Sequence, residues 1–220
     1  MNRTDFKLVY KDNSLTNDQW EQKWLKMRIG RFTASQAYRL LSDDKRSGWR
    51  GYVREIVAEM ITGDSDFYTN AYMEHGKQFE PEALTCFMEK NNCVLRQKTF
   101  AMIGDHIGAS ADGLWLENRS GVEAKCGLFK THLAYLGLKV PSDLETLKKA
   151  YYVQCQWAML VLGFDNWHFI TYYPPRYLDK PVKHYGQLLI PKDERMQEEL
   201  KEKLKKAIEY KNELLEQIKP

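Results

Sequence analysis

The stretch that most constrains the fold of this chain is residues 108–126, which read GASADGLWLENRSGVEAKC. An apolar run at 113–116 is followed by turn-forming residues at 117–121, and an extended pattern resumes at 122–126. Two extended runs separated by turn chemistry are typical of a β-hairpin. The hairpin matters because strand geometry then dictates which side chains share a face.

Three charged residues of this hairpin can be brought to one place. Side chains alternate between the faces of a strand, so Glu123 and Lys125 point the same way and Ala124 points the other way. Asp112, at the far end of the partner strand, can fold back beside them. Two acids and a lysine are costly to bury unless a further positive charge joins them, and a divalent metal ion would supply it. The alternative is an exposed hairpin whose polar face is solvated.

Composition indicates one globular domain. The chain has 220 residues and 43% hydrophobic residues, enough for one substantial core, so we expect a single domain over residues 1–220 with 1–15 as a loose arm or edge strand. Charged residues at 29% and the lack of low-complexity tracts argue against disorder. The net charge of +3 permits a nucleic-acid partner without requiring one.

Nothing in the sequence indicates a membrane or an oxidising compartment. No apolar stretch approaches membrane-spanning length, and the N-terminus lacks the apolar core of a signal peptide. The cysteines show no CxxC spacing, so we expect reduced thiols in a cytosolic protein. The four cysteines are Cys86, Cys93, Cys126 and Cys155.

Hydrophobic periodicity and capping residues predict alternating helices and strands. The predicted helices are one capped at 16–18 and ended by Gly30, then 36–41, 52–61, 71–90, a short or irregular segment at 127–138, 142–162 and 192–218. The predicted strands outside the hairpin are 93–103, 166–173 and 183–190.

Two positively charged segments are candidates for binding phosphate. Arg28 lies close to the predicted helix start at Ser35, where a hydroxyl and free backbone N–H groups can form an anion pocket. The alternative is an ordinary N-cap beside a surface arginine. The polar loop at 42–50 carries three basic residues, and it is either a solvated loop or a DNA contact.

Two helices offer further polar groups to the same centre. Glu80 lies on the helix at 71–90, just before Pro81, where we expect a break or kink. This carboxylate points either over the sheet edge or into solvent. Tyr151 and Gln154 are three residues apart and share a helix face. A glutamine on the apolar side of a helix needs a polar partner, which is either the acidic cluster or another core group.

Five segments, in this order and spacing, resemble one family: WLKMRIGRFTAS, HGKQFEPEA, ASADGL, VEAKC and AYYVQCQ. The family is the phage lambda exonuclease, or YqaJ-type, branch of the PD-(D/E)XK nucleases, and the resemblance covers nearly the whole chain. It implies a single nuclease domain of the α/β class. Its restriction-endonuclease-like core is expected to be a central mixed β-sheet flanked by α-helices.

The resemblance also implies a metal centre. Asp112 and Glu123, with the backbone carbonyl of Ala124, would ligate one or two Mg²⁺ ions, for which Mn²⁺ could substitute. Lys125 would activate or orient the attacking water, and we expect neighbouring metal ions to lower its pKa. Glu80 would serve a second metal ion or its waters.

Supporting and substrate-binding roles follow from the same resemblance. Gln154 would position the lysine or the water, with Tyr151 beside it. Arg28, Ser35 and Ser110 match the residues that hold a 5′-terminal phosphate.

Two further positions match DNA contacts, and two depart from the family pattern. The loop carrying Arg46 would reach into the duplex groove, and Met73 would act as an apolar wedge that helps to split the terminal base pair. Ala111 stands where the family has proline, but its side chain is not a ligand. Gly127 replaces a second proline and loosens the loop that follows.

The resemblance therefore implies a Mg²⁺-dependent 5′→3′ exonuclease that degrades one strand of linear double-stranded DNA from 5′-phosphorylated ends. Its 3′ overhangs would serve a single-strand annealing protein in phage-type recombination. A homotrimeric ring in the cytoplasm of a bacterial host is the expected setting. Two alternatives stay open: another PD-(D/E)XK nuclease, such as a restriction-type, RecB-like or Cas4-like enzyme, and a DNA-end-binding protein that does not cut.

Overall fold

The computed structural model describes residues 4–43, 48–64 and 71–219, except for the side chains of 71–75. Six α-helices are described: α1 Asn17–Arg28, α2 Trp49–Thr62, α3 Ala71–Asn91, α4 Phe129–Leu136, α5 Pro141–Leu162 and α6 Glu194–Gln217. Eight strands are described: β1 Phe6–Tyr10, β2 Phe32–Thr33, β3 Thr99–Ile103, β4 Ile107–Ala109, β5 Gly113–Trp115, β6 Ser120–Lys125, β7 Asn166–Tyr172 and β8 Tyr185–Pro191. Two 3₁₀ helices, Ala34–Leu41 and Pro175–Tyr177, complete the set.

The strands form two four-stranded mixed sheets. The first sheet has the order β1-β3-β4-β2, with β2 parallel to β4 and the other pairs antiparallel. The second has the order β5-β6-β7-β8, with β6 parallel to β7 between two antiparallel pairs. The parallel pair places the carboxyl ends of β6 and β7 at one edge of the second sheet.

Helices cover both faces of the second sheet. Residues of α5 and α6 form the larger core with Trp167 and Phe169 of β7, which point to one face. Residues of α3 pack with Val122, Ala124 and Ile170 on the opposite face. Because side chains alternate along β6, Glu123 and Lys125 lie on the α5 side of the sheet.

Local sequence signals set the helix ends. Thr16 and Gln19 form a reciprocal capping box at α1, with N···O distances of 3.2 and 2.8 Å. Gly163 ends α5 in the left-handed conformation. Within α5, Lys148 has non-helical backbone angles (φ −153°, ψ 73°), so the helix consists of two parts. Tyr151 therefore lies in the first turn of the second part.

The expected α/β class is confirmed, although the strands form two sheets where one central sheet was predicted. The predicted strand at 93–103 is wrong for 93–98, because the positive φ of Lys98 (53°) interrupts extended backbone. Of the break or kink predicted at Pro81, the break is wrong, since α3 continues through the proline. In the N-terminal segment, β1 pairs with β3 at the edge of the first sheet.

Within the described residues, no helix is long and apolar enough to span a membrane.

Candidate active site

The β5–β6 hairpin holds Asp112 against the neighbouring strand. Asp112 lies in the link between β4 and β5, and its Oδ2 accepts a hydrogen bond from the backbone N–H of Ala124 at 2.7 Å. This contact fixes the carboxylate beside the end of β6. The predicted folding back of Asp112 toward Glu123 and Lys125 is thus observed.

Glu123 and Lys125 form an ion pair on the same face of β6. Lys125 Nζ donates to Glu123 Oε1 at 2.5 Å, and the two side chains are 22% and 5% exposed, respectively. The ammonium also lies 4.3 Å from the ring centroid of Tyr151, a cation–π contact. Tyr151 therefore faces the lysine from α5, near the place that the family resemblance implied.

These groups line a cavity of about 600 Å³ at the edge of the second sheet. Glu80, half-buried on α3, joins Asp112 and Glu123 in its wall. Three carboxylates, from α3, from the link between β4 and β5 and from β6, thus face one space. The lining residues are Gly76, Lys77, Glu80, Asp112, Glu123, Ala124, Lys125, Cys126, Gly127, Leu128, Lys130, Thr131, Tyr135 and Tyr151.

The carboxylates destabilise one another's charge. Burial, together with the negative charges of Glu123 and Glu80, raises the pKa of Asp112 well above its usual value. Burial and the charge of Glu123 raise the pKa of Glu80 as well. The three carboxylates thus repel one another although Lys125 lies among them, and a cation placed among these oxygens would relieve the repulsion.

The carboxylates around Lys125 stabilise its charged form. Burial acts to lower the pKa of Lys125, but the charges of Glu123 and Asp112 outweigh burial, and the net pKa is raised. The predicted lowering, which depends on neighbouring metal ions, stays a prediction. In this arrangement Lys125 is an ammonium that donates hydrogen bonds rather than a base that accepts a proton.

The donor set fits a hard divalent ion that keeps part of its hydration shell. Within the described residues, no three His, Cys, Asp or Glu side chains are placed to hold a metal ion by themselves. Mg²⁺ does not require such an enclosure, because it is usually bound through one or two carboxylates with water and substrate phosphates as the other ligands. Asp112, Glu123 and the Ala124 carbonyl are oxygen donors of that kind.

A second cluster surrounds Arg28, at the end of α1. Its Nη2 lies 3.4 Å from Ser35 Oγ and 3.5 Å from Thr33 Oγ1, and its guanidinium lies 4.5 Å from the ring centroid of Trp24. Burial lowers the pKa of Arg28. A guanidinium with two hydroxyl groups beside it can bind a phosphate group.

The remaining predicted residues are placed less directly. Ser110 lies between β4 and β5, half-buried and two residues before Asp112. Gln154 is half-buried on α5 but does not line the cavity. Arg46 lies outside the described residues, and so does the side chain of Met73, whose backbone belongs to α3. The roles predicted for these four residues stay predictions.

Sequence reasoning missed part of the cavity wall. Lys130, Thr131 and Tyr135 line it from α4, and Lys77 lines it from α3, where it forms an ion pair with Glu21 at 3.1 Å. The spacing of four between Thr131 and Tyr135 could have indicated one helix face. That signal is weak because the segment is short and lies between Gly127 and Pro141, two residues that interrupt helices.

Comparisons with known proteins identify the family of this chain. The family model described as "YqaJ-like viral recombinase domain" matches residues 23–165. Comparison with curated proteins gave no match.

Solved structures share the architecture. An alkaline exonuclease (LHK-Exo) from Laribacter hongkongensis matches at a TM-score of 0.73 and 23% identity, over 90% of this chain and 95% of that chain. The same protein in complex with dAMP gives the same values. A phage-related exonuclease from Haemophilus somnus 129PT matches at a TM-score of 0.66 and 16% identity, over 86% and 96%. Identity this low shows the fold alone, and it is the predicted PD-(D/E)XK class.

Proposed function

This chain belongs to the YqaJ-like viral recombinase domain family, and from that premise we propose that it is a divalent-metal-dependent 5′→3′ exonuclease acting on linear double-stranded DNA. Its products are 3′ single-stranded overhangs. The printed names of the structural neighbours, an alkaline exonuclease and a phage-related exonuclease, support this proposal.

The observation that carries the proposal is the convergence of acidic side chains with one lysine. Glu80, Asp112 and Glu123 line one cavity, and Lys125 is paired with Glu123 inside it. The pKa of Asp112 and that of Glu80 are both raised by burial and by neighbouring carboxylates. Carboxylates with perturbed pKa values that share one cavity are typical of a functional site.

The residues divide the chemistry of phosphodiester hydrolysis among them. Asp112, Glu123 and the Ala124 carbonyl would hold Mg²⁺ or Mn²⁺, with Glu80 serving a second ion or its waters. When bound, such an ion supplies an activated water and neutralises charge on the phosphate. Lys125, as an ammonium, orients the water or a phosphate oxygen by donating hydrogen bonds. Tyr151 restricts the lysine through its ring.

The direction of degradation is assigned to the Arg28 cluster. Arg28 and Ser35 would hold a 5′-terminal phosphate, with Ser110 contributing from the link that leads directly to Asp112. A positive pocket ahead of the acidic cavity would draw each new 5′-phosphate forward. Arg46 and Met73 are proposed to contact the duplex and its terminal base pair.

Assembly and partners complete the proposal. We propose a homotrimeric ring that encloses DNA and a single-strand annealing protein that receives the overhang. Sedimentation of the purified protein at three times the chain mass would support the ring. Sedimentation at one chain mass would contradict it.

The polarity can be tested with strand-labelled linear duplexes that carry either a 5′-phosphate or a 5′-hydroxyl group. We expect loss of the 5′-ended strand, with phosphorylated ends preferred. Arg28→Ala should reduce that preference about 10-fold or more, since a hydrogen bond to a charged group is lost. Arg195→Ala, which removes an exposed arginine at the start of α6, is the control. Degradation from 3′ ends would refute the polarity, and an unchanged preference in Arg28→Ala would refute the pocket.

A further inference from the structure

A buried lysine of α6 takes no part in the acidic cavity. Lys211 is 1% exposed, and its Nζ donates to the backbone carbonyl of Gly30 at 2.6 Å. The same Nζ lies 3.3 Å from His106 Nδ1. Among the described residues, the polar partners of Lys211 are thus a carbonyl and an imidazole, not a carboxylate. Lysine is seldom fully buried unless an opposite charge is paired with it, so this lysine serves another purpose than charge balance.

The surroundings of Lys211 disfavour its charge. Burial, followed by the positive charge of Arg31, lowers the pKa of Lys211 to about 8. A methionine would fill much of the same space without desolvating an ammonium group. The property that distinguishes lysine at this position is therefore its ability to donate hydrogen bonds.

The carbonyl that Lys211 binds belongs to the turn that begins at Arg28. The N–H of Arg31 donates to the Arg28 carbonyl at 3.0 Å, which closes the turn. Of the two residues between them, Ile29 has φ −51° and ψ 128°, and Gly30 has φ 75°. These values are typical of a type II β-turn, whose third position favours glycine. Lys211 thus holds the glycine that shapes the turn after Arg28.

The same lysine reaches the segment that leads to Ser110. His106 lies in the turn between β3 and β4, and its carbonyl accepts a hydrogen bond from the N–H of Phe32 at 2.7 Å. This bond lies where β2 and β4 begin their parallel pairing. Beyond that point β2 leads to Ser35 and β4 leads to Ser110. Lys211 therefore contacts both segments that carry the proposed phosphate pocket.

We infer that Lys211 is a positioning residue for the 5′-phosphate pocket, because it fixes the turn that carries Arg28 against the segment that leads to Ser110. This inference rests on the proposed function, in which Arg28 holds the terminal phosphate. Lys211 acts through the backbone of Gly30. Loss of its donor leaves this buried carbonyl short of a hydrogen bond, and the turn has to move to satisfy the carbonyl.

The inference can be tested by binding, without nuclease activity. The probe is a fluorescent duplex with either 5′-phosphate or 5′-hydroxyl ends, measured in chelator, and the readout is the ratio of the two Kd values. We expect Lys211→Met to lower the wild-type preference for the phosphorylated end about 3- to 10-fold, with binding of the hydroxyl end unchanged. A Lys211→Met variant with the wild-type ratio would overturn the inference.

Two controls on α6 separate the lost donor from general effects. Lys206→Met makes the same change at an exposed lysine of the helix, and it should leave the ratio unchanged. Leu204→Ala removes a buried side chain seven residues before Lys211, and it should lower the free energy of unfolding without changing the ratio. Equal losses of phosphate preference in Leu204→Ala and Lys211→Met would assign the effect to destabilisation and overturn the inference.

Combination with Arg28→Ala tests whether Lys211 acts through Arg28. If it does, the double variant should bind the phosphorylated end as Arg28→Ala does, within about 2-fold, since the group that the turn positions is already absent. Losses of affinity that multiply in the double variant would show that Lys211 acts elsewhere.

A measurement on the wild type needs no variant. The amide hydrogen of Arg31, which closes the turn on the Arg28 carbonyl, should exchange about 100-fold or more slowly than in an unfolded chain. Exchange at the unfolded rate would overturn the inference, and so would a wild type that binds both kinds of end equally. If the wild type degrades no DNA with Mg²⁺, the proposed nuclease function fails, yet the binding ratio still decides the role of Lys211.

Discussion

At the residue scale, Asp112 accepts a hydrogen bond that favours its ionised form, while its surroundings disfavour that form. The Ala124 N–H group donates to its Oδ2, which favours the ionised carboxylate. Burial and the charges of Glu123 and Glu80 nevertheless dominate and raise its pKa. An ionised Asp112 in these surroundings lowers the stability of the folded protein unless a cation binds beside it. Functional residues commonly reduce stability in this way.

This conflict predicts a pH-dependent effect of Asp112→Asn in protein stripped of divalent ions. Because the pKa of Asp112 is raised in the fold, its ionisation is more costly in the folded than in the unfolded protein. At pH 8 the variant should therefore be more stable than the wild type, on the order of 1 kcal/mol. The difference should vanish as the pH falls through the raised pKa toward the ordinary value of about 4. Thermal unfolding at several pH values measures it.

The same experiment has an internal control in added Mg²⁺. Binding to the folded state alone should raise the unfolding temperature of the wild type and leave that of Asp112→Asn nearly unchanged. Asp179→Asn removes an exposed carboxylate and should show neither effect. A destabilised Asp112→Asn variant at pH 8 would contradict this account of the cluster.

At the scale of elements, β6 is held by the strand beside it. Gly121 was predicted to belong to the turn, but it lies within β6 and pairs with Trp167 of β7. The fully buried ring of Trp167 covers the space above Gly121, and a Cβ added there would overlap with it. Glycine is required at this point for packing, and no local turn signal could reveal that.

Gly121→Ala is therefore expected to destabilise the protein by roughly 1–3 kcal/mol, because the buried ring or the strand has to shift. Since Glu123 and Lys125 follow on the same face, activity should fall as well. Gly137→Ala is the matched control: its added Cβ would lie 3.4 Å from the Ala134 carbonyl oxygen, an ordinary contact, and its φ is −77°. Denaturant unfolding compares the two, and equal stabilities would show that the ring accommodates the methyl group.

At the scale of the whole molecule, the sequence predicted those parts of the site that follow from the alternation of side chains along a strand and from the short hairpin. Strand alternation was sufficient to place Glu123 and Lys125 on one face, and the short hairpin brought Asp112 back to them. Glu80 and Tyr151 come from distant helices, and they were assigned through the family resemblance. The structure brings all five to one cavity.

The features that the sequence did not predict depend on packing between segments that are distant in sequence. The division of the strands into two sheets, the irregular turn of α5 at Lys148 and the raised pKa of Lys125 each arise from neighbours that periodicity does not identify. The contact between Lys211 and Gly30 joins residues 181 positions apart. Gln154, predicted at the site, lies outside the cavity wall because helix spacing fixes a face only relative to its own helix.

The most direct measurement of the central claim is the rate at which a 5′-phosphorylated linear duplex is degraded with Mg²⁺ and with a chelator, by the wild type and by Asp112→Asn. We predict degradation by the wild type only with Mg²⁺, and a loss of more than about 100-fold in the variant. The variant should still bind duplex ends, because the Arg28 cluster is intact. Degradation by the wild type in the presence of chelator, or an undiminished rate in Asp112→Asn, would contradict a metal centre held by Asp112 and Glu123 with Lys125 beside it.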